Sequence, residues 1–248
     1  MICVLPARLY STRISRKLLQ KLAGRTLLEW CWRAASAIRV FDDVVVATDS
    51  GEIEACARGF EAKVVRTRSD HVSGTDRVDE AADLLGAGED DVVVNFQADE
   101  PFVDGGAIEG AVRRAEEVAT IAAPIGSEHE WRSSAVVKVA RAADGRALYF
   151  SRSPIPFWRD ESPELGTHAR LRHVGVYAYR RSALRRWAAL PASTLERAER
   201  LEQLRALEAG MRIHVELGPW TEPGVDLPVD IERAERILSS RGEQRRRG

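Results

Sequence analysis

Short runs of β-branched residues alternate with helix-patterned segments through the first half of the chain. The runs "ICVL", "DDVVVAT", "KVVRT" and "DVVVNFQ" read as strands. Between and after them, helical spacing of apolar residues predicts helices over residues 26–38, 52–59, 75–85 and 106–118. Val44 to Val46 and Val92 to Val94 are apolar at consecutive positions. A strand with one wet face would alternate, so helices are expected on both faces, as in the βαβ units of a parallel sheet.

After Ala119 the texture changes. "TIAAPI", "AVVKVA", "ALYFS" and "HVGVYAYR" follow one another with few helical segments between, which predicts a mixed or antiparallel extension. Helices over 182–188 and 195–209 come next, then a strand "RIHVEL" and a last helix over 229–240. The terminal "RGEQRRRG" is expected to be a frayed, solvated tail, and an acidic partner fits the same composition. With no internal repeat or low-complexity linker, the reading is one compact domain over 1–248. Its first part covers about residues 1–118 and 219–240, and an inserted lobe covers about residues 119–218.

Composition narrows what such a domain can do. At 248 residues, with 37 basic and 38 acidic side chains and a formal net charge of −1, the chain can bury a full core without disulfides. It is not built for non-specific binding to nucleic acid or membrane, so any charge-driven function is local. Cys3, Cys31 and Cys56 form no CxxC pair and read as small buried apolar residues. No apolar run approaches the roughly 20 residues of a membrane span, and the start lacks a signal-peptide pattern. A cytoplasmic location is the expectation.

In open parallel sheets ligands bind at the carboxyl ends of the strands, and four polar clusters fall there. The first follows the opening strand: Arg8, Ser11, Thr12, Arg13, Arg16 and Lys17 within "PARLYSTRISRKLL", with no acidic residue among them. Amides, hydroxyls and guanidinium groups suit a polyphosphate, and a solvated basic loop ahead of a helix has the same composition. Neither GxxxxGK[ST] nor GxGxxG is present. "TDS" at 48–50 follows the second strand. "SGTDR" at 73–77 follows the third, with Gly74 permitting close backbone approach and Thr75 placed to cap the next helix. Capping alone explains that cluster as well as a base or ribose contact does.

"QADEP" at 97–101 follows the fourth strand. Asp99 suits Mg²⁺, which takes one or two carboxylates plus phosphate oxygens and water, and an acidic turn closed by Pro101 is the plainer reading. Asp226 in "GVDLPVD" is a second candidate, with Asp230 placed to cap the last helix. In the second half, Arg152, Arg172 and His173 are candidate anion binders, and Glu202 and Gln203 lie in a leucine-rich helical segment. No serine, histidine and acid arrangement supports hydrolase chemistry.

Taken in order, "PARLYSTRISRKL", "VVVATDS", "DHVSGTDR", "VVNFQADEP", "ALYFSRSPIP", "LRHVGVYAYR", "LERAERLEQLRALEAGMRIHV" and "GVDLPVDIERA" resemble the successive motifs of the CMP-KDO synthetases, the 3-deoxy-manno-octulosonate cytidylyltransferases. The resemblance runs from Ile2 to about Leu238. It implies a nucleotidyltransferase-type, Rossmann-like three-layer α/β fold, a homodimer, Mg²⁺ as cofactor, and transfer of CMP from CTP to the sugar acid KDO with release of pyrophosphate. It implies a nucleotide loop of Pro6, Ala7, Arg8, Ser11, Thr12, Arg13 and Lys17, a cytidine-side segment of Ser73, Thr75 and Arg77, and metal-binding Asp99 and Asp226. Arg8, Lys17, Asp99 and Asp226 would carry catalysis, while Gln97, Arg152, His173, Tyr177, Glu202 and Gln203 match the region that holds the acceptor.

The sequence also departs from the family. Ser15 and Arg16 stand where Pro-Gly is usual, and "QADEP" replaces "QGDEP". Glycine allows close approach to phosphate and arginine does not adopt the same geometries cheaply. The departures fit an unchanged acceptor, with Arg16 as an extra phosphate contact. They also fit a site retuned for another sugar acid or a phosphonate. Other rivals are a pyrophosphorylase using UTP or GTP, and a non-catalytic nucleotide-binding module, in which a second metal carboxylate has no use.

Overall fold

A computed structural model describes residues 1–11, 13–160 and 169–247, with the backbone alone for 241–247. The chain divides into two compact units. One comprises Ile2–Leu85, Asn95–Phe102 and Glu222–Gly248; the other comprises Met1, Gly86–Val94 and Val103–Thr221. Residues 86–94 and 103–118 therefore group with the second-half strands and not with the opening loop.

In the first unit β1 (Ile2–Pro6) leads through the basic loop to a 3-10 turn at Lys17–Leu19 and a small hairpin of β2 (Lys21–Leu22) and β3 (Arg25–Thr26). Helix α1 (Leu27–Ser36) starts where the Thr26 hydroxyl accepts from the Glu29 amide. Then come β4 (Asp43–Thr48), α2 (Gly51–Gly59), β5 (Lys63–Arg66) and α3 (Gly74–Leu84). β4 pairs in parallel with β1 and with β5, so Val45 and Val46 are buried between helices together with Val4 and Leu5. The cap of α3 is Ser73 and not Thr75. The Ser73 hydroxyl accepts from the Asp76 amide at 3.1 Å, and the Asp76 carboxylate accepts from the Ser73 amide at 3.0 Å. That reciprocal box needs an acid three residues after the cap, which Ser73 has. Thr75 is buried inside the helix.

Strand β6 (Val92–Phe96) is shared in sequence between the units. In the second unit α4 (Gly105–Arg114) ends four residues before its expected limit of 118, because Val118 pairs with Ile213 and Tyr179 at the start of β7 (Val118–Pro124). Strand pairing there overrides helical spacing. A short α5 (Glu128–Arg132), unexpected from the sequence, is capped by Ser127. After β8 (Lys138–Arg141), β9 (Ala147–Ser151), β10 (Leu171–Arg180) and α6 (Arg181–Ala188), the helix expected over 195–209 is two. These are α7 (Thr194–Glu199) and α8 (Gln203–Glu208), parted at Arg200, whose φ of 53° is left-handed. β11 (Ile213–Leu217) pairs in parallel with β7, and β10 pairs with β7 in the antiparallel sense. The mixed lobe anticipated after residue 119 is present, and the α/β fold class holds.

The chain returns to the first unit as α9 (Pro228–Arg247). Proline opens it at the position where a missing N–H costs nothing. Its backbone is helical through Arg247, past the limit of 240 expected for it, so the basic terminal segment continues the helix.

Candidate active site

The basic loop and the acidic segments meet at Lys17. Its ammonium Nζ donates to Asp99 Oδ2 at 2.6 Å, to Asp226 Oδ1 at 3.2 Å and to the Val225 carbonyl at 3.0 Å. The lysine side chain is 11% exposed and that of Asp226 49%. Burial pushes the Lys17 ammonium down, but the charges of Asp99 and Asp226 outweigh it and hold the group above its ordinary value. Arg13 adds a second cation, 3.4 Å from Asp226 Oδ1. Residues 17, 99 and 226 thus form one charge cluster near the carboxyl ends of β1 and β6.

The approach of Asp226 depends on Gly224. A Cβ there would lie 2.9 Å from the Asp99 carbonyl oxygen and 3.0 Å from the Glu100 carboxylate, closer than side chains come, so only glycine lets the two segments touch. The Val225 amide then donates to the Asp99 carbonyl at 2.9 Å. This contact has only a weak sequence signal, a glycine two residues before a candidate aspartate.

The rest of the loop is partly engaged. Pro6 ends β1, and the Ala7 amide donates to the Ala47 carbonyl at 2.9 Å. Arg8 Nη1 donates to the Val72 carbonyl at 3.2 Å, which ties the opening loop to the segment before α3. Ser11 is half-buried, and Thr12 lies outside the described residues. Arg16 adopts φ 52° and ψ 40°, the left-handed conformation glycine favours, and its guanidinium forms an ion pair with Glu52. Its charge is thus paired with α2. Ala98 is buried, and its φ is outside the left-handed region, so that substitution is absorbed without strain.

Arg77 is almost fully buried. Its Nη1 donates to Thr67 Oγ1 at 2.5 Å and its Nη2 meets Asp49 Oδ1 at 2.8 Å, binding α3 to the ends of β4 and β5. Its guanidinium thus serves the "TDS" segment. A Cβ on Gly74 would meet Pro6 only at an ordinary 3.7 Å, so the close approach expected there is not required by the chain itself.

In the second unit Arg152, His173, Tyr177, Glu202 and Gln203 occur together, while Gln97 is an exposed residue of the first unit. Arg152 Nε donates to the Glu199 carbonyl at 2.8 Å and Nη1 to the Ser134 carbonyl at 3.0 Å. The Glu199 carboxylate accepts from Ser151 Oγ and the Arg152 amide, so the last residue of α7 is tied to the end of β9. Arg172 is buried and committed, with Nη2 on the carbonyl and hydroxyl of Thr221, both at 2.7 Å.

His173 lies in a cluster of aromatic rings. It packs against Phe150 and Tyr177, and Tyr177 in turn against Tyr179 and Trp187. Burial, with the charge of Arg172 adding to it, pushes the imidazole down to about 3. The Thr120 hydroxyl donates to the Val176 carbonyl at 2.7 Å, so its oxygen accepts from His173 Nε2 at 2.9 Å and fixes the tautomer. A neutral imidazole of this kind is not a charged anion binder. Tyr177 is likewise kept protonated, by burial first and then by Tyr179 and Glu202. Gln203 is buried and Glu202 half-buried at the head of α8.

Among the described residues no cluster of three or more His, Cys, Asp or Glu side chains could cage a metal. Two carboxylates beside a basic loop are a donor set that fits Mg²⁺, which fills its remaining positions with phosphate oxygens and water. No helix among the described residues is long and apolar enough to cross a membrane.

Residues 2–213 match the sequence model of the cytidylyltransferases, and the chain belongs to that family. The relatives it resembles are narrower in kind. The 3-deoxy-manno-octulosonate cytidylyltransferase of Acidobacterium capsulatum is 43% identical over 242 residues, 96% of either chain. That of Xanthomonas campestris pv. campestris is 44% identical over 247 residues, covering 95% of this chain and 98% of the relative. A solved CMP:2-keto-3-deoxy-manno-octonic acid synthetase complexed with CTP superposes with a TM-score of 0.87 at 36% identity, over 97% of this chain and 98% of that one. Within the cytidylyltransferases, then, the chain falls among the CMP-KDO synthetases.

Proposed function

We propose that the protein transfers CMP from CTP to 3-deoxy-manno-octulosonate, giving CMP-KDO and pyrophosphate, with Mg²⁺ as cofactor and as a cytoplasmic homodimer. The observation that carries this reading is the meeting of Lys17 with Asp99 and Asp226, in a chain whose relatives bear that name. An acceptor oxygen attacks the α-phosphorus and pyrophosphate leaves. Charge builds on the leaving group, and Arg8, Arg13 and Lys17 stand on one loop to share it. Asp99 and Asp226 would hold Mg²⁺, which when bound neutralises phosphate charge and polarises the phosphoryl oxygens.

The start of α3, where Ser73, Thr75 and Arg77 stand, is assigned to the cytidine side, with Ser73 capping the helix and Arg77 holding it to Asp49 and Thr67. Arg152, Tyr177, Glu202 and Gln203, all of the second unit, are assigned to the acceptor, with His173 as a neutral neighbour, and Gln97 of the first unit keeps the acceptor role that the resemblance implies. Arg152 is the cation suited to a sugar acid's carboxylate, because its Nε and Nη1 donate to main-chain carbonyls, which leave its charge in place. Arg16 and Ala98 are absorbed locally and give no ground for a different acceptor.

The test is to incubate the protein with Mg²⁺, each of the four nucleoside triphosphates and KDO, and to follow pyrophosphate. Release with CTP and KDO alone is expected. Release with CTP only when another acid replaces KDO would move the acceptor, and silence with every pair would leave a nucleotide-binding module. Sedimentation velocity checks the dimer.

A further inference from the structure

The segment that brings Asp226 to Lys17 is itself held from helix α9, by side chains outside the reacting set. Arg233 stands on the second turn of that helix. Its Nη2 donates to the Pro223 carbonyl at 2.8 Å and the Gly224 carbonyl at 2.9 Å. Its Nη1 donates to Asp230 Oδ1 at 2.8 Å, and Nε lies 3.7 Å from Glu222 Oε2. The other oxygen of Asp230, Oδ2, accepts from the amides of Asp226 at 2.9 Å and Leu227 at 2.8 Å.

One guanidinium and one carboxylate, bonded to each other, therefore fix the main chain of residues 223, 224, 226 and 227. On the far side of the same strap, Val225 is fixed by the Asp99 carbonyl and by Lys17. The strap has no helix or strand of its own, and a side chain on a free loop spends little time in a ligating position. We infer that Arg233 and Asp230 are positioning residues for Asp226, and that they set how tightly the site takes a divalent cation with CTP. The inference rests on the reading of Asp226 as a metal ligand.

Three full-length variants test it: Arg233→Lys, Asp230→Asn and Asp226→Asn. Lysine keeps the charge but lacks the planar fork that reaches two carbonyls and a carboxylate together. Three quantities are measured: the Mg²⁺ concentration for half-maximal rate, the affinity for CTP by calorimetric titration at fixed Mg²⁺, and the KM for KDO. Residues that orient a metal ligand typically change metal affinity by roughly 10- to 100-fold. Arg233→Lys and Asp230→Asn are each expected to raise the Mg²⁺ requirement by about that factor and to weaken CTP in the titration, with the KM for KDO and the melting temperature near parental values.

A parental Mg²⁺ requirement and CTP affinity in either folded variant overturns the inference. So does a KM for KDO that rises in step with the Mg²⁺ requirement, the mark of general loosening. If Arg233→Lys fails to fold, Asp230→Asn decides alone. Asp226→Asn separates the two claims. Impairment there with parental behaviour in the other two sinks the positioning role only, and parental behaviour in Asp226→Asn sinks the ligand assignment itself.

Discussion

His173 makes the stability of the second unit depend on pH in a calculable way. Its imidazole titrates near 6.5 when solvated and near 3 when folded, because burial and Arg172 disfavour the charged form. Between those values the unfolded chain holds a proton that the folded chain does not. Stability therefore falls as pH falls through 6.5, at about 1.4 kcal/mol per unit once well below it, and levels off only near 3. From about pH 7.5 to about pH 5.0 the loss from this one group integrates to about 2 kcal/mol.

The comparison that isolates it is His173→Gln, whose amide can still donate to Thr120 Oγ1 but does not titrate. Urea unfolding of both proteins at several pH values across that range gives two curves of free energy against pH. The carboxylates contribute alike to both, so the parent should lose about 2 kcal/mol more than the variant. Parallel curves, or a steeper fall in the variant, would refute the assignment of a neutral, tautomer-fixed imidazole.

Other outcomes follow from the loop and the strap. Gly224→Ala places a Cβ 2.9 Å from the Asp99 carbonyl oxygen. The strap must move, and thermal melts should show a loss of about 1 to 3 kcal/mol alongside a turnover reduced by at least roughly tenfold. Asp99→Asn and Lys17→Met should each fold, yet lower the rate of pyrophosphate release by orders of magnitude, since phosphoryl transfer depends on positioning and electrostatics. Arg16→Gly relieves a left-handed cost of about 1 to 2 kcal/mol while losing an exposed ion pair worth less than about 1 kcal/mol and gaining unfolded-state entropy. Its unfolding free energy should stay within about 1 kcal/mol of the parent, with the KM for CTP unchanged.

What the sequence made legible was what local pattern controls. Consecutive valines announced β4 and β6, and Asp99 stood out because an acid at the end of a buried strand is conspicuous. Features that depend on distant partners were hidden. The end of α4 is set by pairing of Val118 with Ile213, and the break between α7 and α8 falls at a left-handed Arg200, a residue type that gives no local sign of it. The cap of α3 was misplaced by two residues because Thr75 has the right chemistry, whereas the deciding partner, Asp76, sits three residues after Ser73. His173 passed as an anion binder because its charge is decided by rings far from it in sequence. Nothing local marked Arg233, apart from its i,i+3 spacing from Asp230.

The Lys17 cluster joins residues 82 and 209 positions apart along the chain. A ribosome making this protein releases the loop well before the strap, so for a time the chain carries a basic loop with only one of its two carboxylate partners. Closing so long a loop is slow compared with forming local structure. A ligand that needs both carboxylates can therefore bind only after the strap has reached the loop, and CTP added during refolding should stabilise the closed site without changing the rate of the earlier steps.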